Sequence, residues 1–201
     1  MKNTKNILLV GVGGQGTILV SKILSTGLME AGYDVKMSEI HGMAQRGGSV
    51  STQVRYGEKV HSPIIGLGEA DILVSFETME TLRWLEYLKP EGIVVINDYE
   101  IPSAPILLGN LDYPQGVIKL IEEKADTKVI KAAEKAEEIG NQRVMNVVLL
   151  GALVKSMDLM DIDWEEVIKN SVREEFVEMN LIAFNVGVDS VTSYEESYSV
   201  N

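Results

Sequence analysis

Two glycine-bearing segments hold the residue types that could bind or position an anionic group. The first is Gly11-Val12-Gly13-Gly14-Gln15-Gly16, with the spacing G-x-G-x-x-G. In that pattern the first glycine permits a tight turn, and the second lets the backbone approach a pyrophosphate. The third lets a helix pack close to the preceding strand. A helix starting there would offer free N–H groups and a partial positive charge. Glu39 lies 23 residues beyond Gly16, about where a ribose-binding acid stands in NAD enzymes. The second segment, His41-Gly42-Met43-Ala44-Gln45-Arg46-Gly47-Gly48, combines an imidazole, an amide, a guanidinium and a pliable backbone. Arg46 could grip a phosphate or carboxylate with two bonds. The Gly47 and Gly48 N–H groups could serve the same anion, and Met43 offers a soft apolar contact. His41 has no carboxylate and nucleophile beside it in the pattern, so no catalytic residue and no metal ligand is assigned. At each segment the alternative is a purely structural turn.

The elements around these segments decide whether they can meet. Apolar or alternating runs predict strands over 6–10, 33–40, 49–56, 71–76, 93–97 and 127–130. Helical spacing predicts helices over 17–31, 78–88 and 116–124. Residues 59–65 read as a short strand or a bend, and 101–114, with three prolines, as irregular. From 133 onward the chain reads as helical. Strand, helix and strand over 6–40 form a βαβ unit. The whole predicts an α/β, Rossmann-like fold: a mostly parallel sheet with helices on both faces and a helical C-terminal part. Both glycine segments follow the carboxyl ends of strands, where ligands collect in open parallel sheets. Asn141 caps a helix running to Met157 that is apolar on most faces, which reads as buried core or a subunit interface. Arg143 and Asn146 near its start are the better candidates for the active-site side. Residues 1–190 read as one domain and 191–201 as a polar tail, solvated or disordered.

Composition narrows the function. The chain has 201 residues and no cysteine, which removes disulfides, thiolate catalysis and cysteine-ligated iron–sulfur clusters. Its net charge of −12 argues against a nucleic-acid partner. No apolar run reaches the roughly 18 residues that span a membrane, so a cytoplasmic location without a membrane partner is expected. An anionic ligand would need a local basic patch, for which Lys22, Arg46 and Arg55 are candidates.

GVGGQG near the start, SEIHGMAQRGGSV some twenty residues later and NQRVMNVVLLGA over 141–152 resemble the gamma-type domain of 2-oxoacid:ferredoxin oxidoreductases. The HGMAQRGG wording is most similar to the indolepyruvate branch of that family. The resemblance implies a subunit of a complex that oxidatively decarboxylates aryl 2-oxoacids to acyl-coenzyme A while reducing ferredoxin. It implies no cofactor bound by this chain alone, with thiamine diphosphate, magnesium and iron–sulfur clusters in a larger partner subunit. It makes Gly13, Gly14, Gln15, Gly16, Met43, Gln45, Arg46 and Gly47 candidates for contact with coenzyme A or for lining the partner's active site. The alternatives are a pyruvate or 2-oxoglutarate gamma subunit, a stand-alone NAD-binding oxidoreductase using Gly11–Gly16 and Glu39, and a non-catalytic scaffold.

Overall fold

The computed structural model describes the backbone of residues 4–41 and 47–199, and the side chains of 4–40 and 47–191. Of the expected site residues, Met43, Gln45, Arg46 and the His41 side chain lie outside this description.

Six strands form one sheet: β1 (Lys5–Val12), β2 (Asp34–His41), β3 (Ser49–Gly57), β4 (Ala70–Ser75), β5 (Leu88–Asn97) and β6 (Asp126–Ile130), in the spatial order β2-β3-β1-β4-β5-β6. The pairs β1–β4, β4–β5 and β5–β6 are parallel, whereas β3 runs antiparallel to both neighbours. The expected mostly parallel sheet is present, with one correction. β1 and β2 do not form an adjacent pair, because β3 stands between them. The physical reason is the connection 42–48, which is shorter than the dozen or more residues a parallel crossover needs. β2 therefore turns straight back as a hairpin, and β3 takes the place beside β1.

The helices are α1 (Thr17–Glu30), α2 (Thr78–Trp84), α3 (Ala104–Leu107), α4 (Val117–Glu122), α5 (Ala132–Ile139), α6 (Met145–Ser156), α7 (Trp164–Ser171) and α8 (Val177–Ser199). Residues 59–65 form bends rather than a strand. The backbone of α8 is helical through Ser199, so the polar segment from 191 onward begins as the last turns of this helix. Extending an existing helix needs no new nucleus.

The sheet is covered unequally. Ile7 and Leu9 of β1 point into a large core built with α1, α5, α6, α7 and α8. Leu8 and Val10 point to the other face, against Ile65, Ala70 and Leu73, and a separate group there joins Val94 and Ile96 to Val117 and Ile121. Every residue of α6 from Met145 to Val154 is buried, so the helix that is apolar all round lies inside the chain, as that pattern suggests. It crosses α8 at near backbone contact: a Cβ on Gly151 would sit 2.0 Å from the Phe184 carbonyl oxygen, and one on Gly187 1.9 Å from that of Val148. These two glycines pull α6 down onto its neighbour and so fix where its first turn, with Arg143 and Asn146 beside it, meets the sheet edge.

Candidate functional site

The two glycine segments meet at the carboxyl edge of β1. The β1–β3 ladder continues through Gly11 opposite Val50 and Val12 opposite Ser49. Past its end, Gly13 N–H donates to the Gly48 carbonyl at 2.9 Å, and Gly47 N–H to the Gly13 carbonyl at 3.4 Å. Gly13 therefore ties the first segment to the second, and its N–H does not face a ligand. Gln15 has a similar role. Its Oε1 accepts from Val12 N–H at 2.7 Å and its Nε2 donates to the Phe76 carbonyl at 2.8 Å, which fixes the turn between β1 and β4. Gly11 is required there, because a Cβ would lie 2.8 Å from Gln15 Oε1 and 2.9 Å from Phe76 Cβ.

Gly16 begins α1 in the left-handed region, at φ 82°. A Cβ on it would fall 2.3 Å from Asn146 Nδ2, and that amide donates to the Gly16 carbonyl at 3.3 Å. The third glycine thus allows close packing as the spacing suggests, and its closest neighbour is α6. Gly14, at φ 105°, would point a Cβ into open space. Among the described residues no acceptor pairs with the N–H groups of Gly14, Gly16, Thr17 or Ile18. A cluster of free amides at a helix start is suited to a negative group.

Gly13, Gly14, Gln15 and Gly16 line a cavity of about 600 Å³, together with Leu19, Tyr99, Ile101, Gln142, Arg143, Met145 and Asn146. Gly13, Gly14, Gln15 and Gly16 are the sequence-expected residues brought together here, joined by Arg143 and Asn146. Tyr99, Ile101, Gln142 and Met145 escaped the sequence reading. For Tyr99 the available signal was position, just past the carboxyl end of β5. That wall is held from behind by Glu77, which is fully buried and accepts from Ile101 N–H at 3.1 Å, Glu80 N–H at 2.9 Å and Tyr113 Oη at 2.5 Å. Burial and the adjacent Glu77 carboxylate push the Tyr113 hydroxyl well above its ordinary pKa, so it stays a neutral donor. Asn97 braces the same edge, donating to the Phe76 carbonyl and accepting from Ala132 N–H.

Other expected residues lie elsewhere. Glu39 accepts from Ser21 Oγ at 3.1 Å, tying β2 to α1, and it does not line the cavity. Because β3 separates β2 from β1, Glu39 is one strand further from the glycine turn than a ribose-binding acid would be. Arg55 does not contribute to a basic patch at this edge. It pairs in register with Asn6 near the start of β1 and donates to Asn6 Oδ1, the Ser62 carbonyl and the Ile64 carbonyl at 2.8–3.1 Å. The guanidinium at the cavity is Arg143, which has no ion-pair partner among the described residues. Asn146 is 5% exposed, and its Oδ1 has no hydrogen-bond donor. An unsatisfied buried acceptor costs about 1–3 kcal/mol, a cost that a donor at this position would offset. Among the described residues, no group of three or more His, Cys, Asp or Glu residues could hold a metal ion, and no helix is long and apolar enough to cross a membrane.

Comparison with known proteins locates this arrangement. Residues 6–190 match the family model described as pyruvate ferredoxin/flavodoxin oxidoreductase. The chain is 39% identical over 189 residues to the indolepyruvate oxidoreductase subunit IorB of Pyrococcus horikoshii, covering 91% of this chain and 94% of that one. It is 30% identical over 193 residues to the 2-oxoglutarate synthase subunit KorC of Methanothermobacter thermautotrophicus, covering 91% and 93%. Among solved structures, the keto/oxoacid ferredoxin oxidoreductase gamma subunit of Geobacter sulfurreducens shares the fold with a TM-score of 0.70 at 24% identity, covering 94% of this chain and 99% of that one. A 2-oxoglutarate:ferredoxin oxidoreductase of Magnetococcus marinus, solved with 2-oxoglutarate, coenzyme A and succinyl-CoA bound, contains the fold within a longer chain: TM-score 0.72, 22% identity, 96% of this chain and 32% of that one.

Proposed function

The chain belongs to the pyruvate ferredoxin/flavodoxin oxidoreductase family, and from that premise we propose that it is the small subunit of an indolepyruvate ferredoxin oxidoreductase. The overall reaction converts an aryl 2-oxoacid, coenzyme A and two oxidised ferredoxins to an aryl acyl-CoA, carbon dioxide, two reduced ferredoxins and a proton. The observation that carries the reading is the identity of 39% over nearly the whole length to a subunit of that name, against 30% to a 2-oxoglutarate counterpart. A pyruvate or 2-oxoglutarate gamma subunit is therefore the weaker assignment. The stand-alone NAD reading loses its geometry, because Glu39 is engaged with α1 behind an intervening strand.

The chain's own part in this chemistry is to bind and position. It has no cysteine to ligate an iron–sulfur cluster, and among the described residues no serine, lysine or carboxylate lines its cavity. We assign thiamine diphosphate, magnesium and the iron–sulfur clusters to a larger partner subunit in the cytoplasm, with ferredoxin reached through the complex. Thiamine diphosphate there supplies the carbanion-stabilising chemistry. The cavity at the carboxyl edge is assigned to coenzyme A. The free amides of Gly14 and Gly16 and the Arg143 guanidinium face the carrier's negative groups. Gly11, Gly13 and Gln15 hold the turn, and Tyr99 and Ile101 wall it. Met43, Gln45, Arg46 and Gly47 are assigned to coenzyme A contact on the family resemblance of their segment, of which Gly47 is bonded to Gly13. Residues 1–190 act as one catalytic-domain unit.

The test is co-expression with a large subunit carrying thiamine-binding and cysteine cluster motifs. Ferredoxin-linked, coenzyme A-dependent arylpyruvate oxidation is expected only when both chains are present. Full activity from the large subunit alone would refute the assignment.

A further inference from the structure

The loop that begins at Ile101 carries the two most exposed large apolar side chains among the described residues. Leu107 and Leu108 are 74% and 75% exposed, and Leu111 follows at 62%. Three leucines within five residues of a surface loop form an apolar patch of the kind that marks contact with another protein. The loop is nonetheless held in one shape. A single fully buried carboxylate, Glu77, clamps both of its ends, accepting from the Ile101 N–H and from the Tyr113 hydroxyl. Tyr113 Oη in turn accepts from the Met79 N–H at 3.0 Å. Between these ends the backbone closes on itself. The N–H groups of Leu107, Leu108, Gly109 and Asn110 donate to the carbonyls of Ser103, Ala104, Ile106 and Pro105 at 2.9–3.0 Å. Covering the loop would therefore leave these four amides satisfied, and a segment already ordered costs less to immobilise on binding.

The charge along this stretch has one sign. Asp98, Glu100 and Asp112 flank the leucines in the chain, all three exposed, and no lysine or arginine occurs between Lys89 and Lys119. Lys131, close enough for its charge to act on Asp98, is already bonded to Glu134. An isologous contact of this loop between two copies of the chain would set these carboxylates against their own counterparts. A groove that is apolar at its centre and edged with lysine or arginine meets both the leucines and the acids. Ile101, at the start of the loop, also lines the 600 Å³ cavity, so a protein seated on the leucines stands beside that cavity. Resting on the two-subunit reading above, we infer that Leu107, Leu108 and Leu111 are the anchor on which the large subunit docks, through an apolar groove with a basic rim.

The experiment measures binding of the full-length chain to the purified large subunit by surface plasmon resonance, with the oligomeric state of the chain alone followed by sedimentation. The double variant Leu107→Ala, Leu108→Ala should bind about a hundredfold more weakly, with its thermal unfolding unchanged because both side chains are exposed. Asp112→Lys should slow association several-fold and flatten its dependence on salt. Leu67→Asp, at a residue also exposed but at the start of β4 on the other end of the sheet, should bind as the unmodified chain does. Unaltered affinity of the double variant, or unaltered association of Asp112→Lys, would overturn the assignment. So would an unmodified chain that is itself a dimer and that the double variant renders monomeric with its affinity for the large subunit intact, since the leucines would then belong to a second copy. Each of these results leaves the two-subunit reading standing. An unmodified chain that does not bind the large subunit at all would overturn both.

Discussion

The two ends of the sheet treat their charged groups in opposite ways. At the amino end Asp71 accepts from Lys5, Lys89 and the Asn6 N–H, and Arg55 is bonded to Asn6 and two carbonyls. At the carboxyl end Arg143 is unpaired among the described residues, Asn146 Oδ1 has no donor, and the Gly14 and Gly16 amides have no acceptor there. The amino end thus carries a closed polar network, whereas the carboxyl end, closed around Glu77 behind the cavity wall, leaves the groups that face the cavity open. Satisfied polar groups account for themselves through folding. Groups left without a protein partner at one cavity are free to pair with a ligand.

The largest expected effect comes from the one position that serves both demands. Gly16→Ala forces a side chain into the left-handed region and against Asn146. A loss of about 3 kcal/mol in unfolding free energy is expected, together with loss of complex activity, measurable by chemical denaturation and turnover. Next is Asp71→Ala at the amino end, which strands the bonds of Lys5, Lys89 and Asn6. About 2 kcal/mol of stability should be lost, while KM for coenzyme A stays as it was.

The same carboxylate sets a pH dependence. Burial alone would raise its pKa, but hydrogen bonds from Lys89 and Asn6 and the charge of Lys5 outweigh burial and hold it below the usual range. A depressed folded pKa means its stabilisation is present above the unfolded value of about 3.9 and is lost as pH falls through the folded value. Asp71→Asn should therefore show a shallower loss of stability below about pH 4 than the unmodified chain in acid denaturation.

At the open end the expected signs reverse. Arg143→Ala should leave thermal stability within about 0.5 kcal/mol and raise KM for coenzyme A about tenfold. Of the two glycine variants Gly14→Ala has the smaller stability effect, because its methyl meets no neighbour. It should cost about 1 kcal/mol from backbone strain and, because Gly14 lines the cavity, weaken coenzyme A binding more than it destabilises the fold.

The residues show why some of this was legible and some was not. Strands such as 6–10 and 71–76 announce themselves because they are buried on both faces, and α6 because every side is apolar. The glycine turn was legible through its spacing. The place of β3 is less legible, because strand order depends on connection length as well as on residue pattern, and it is the brevity of 42–48 that sets β3 between β1 and β2. Arg55 looks like a binding residue because charge is visible in a sequence but its partners, the distant Asn6 and the carbonyls of Ser62 and Ile64, are not. Tyr99 and Ile101 were invisible for a related reason. Tyr99 is held by Thr78 and Ile101 by Glu77, a buried carboxylate whose contacts span from residue 80 to residue 113.

The central claim is that the carboxyl-edge cavity of this chain receives coenzyme A in the assembled complex. Photolabelling the complex with a benzophenone-bearing coenzyme A analogue, followed by peptide mass spectrometry, addresses it directly. Label is predicted on peptides containing residues 13–19 or 141–146, suppressed by excess coenzyme A. Competed label confined to the large subunit would contradict the account.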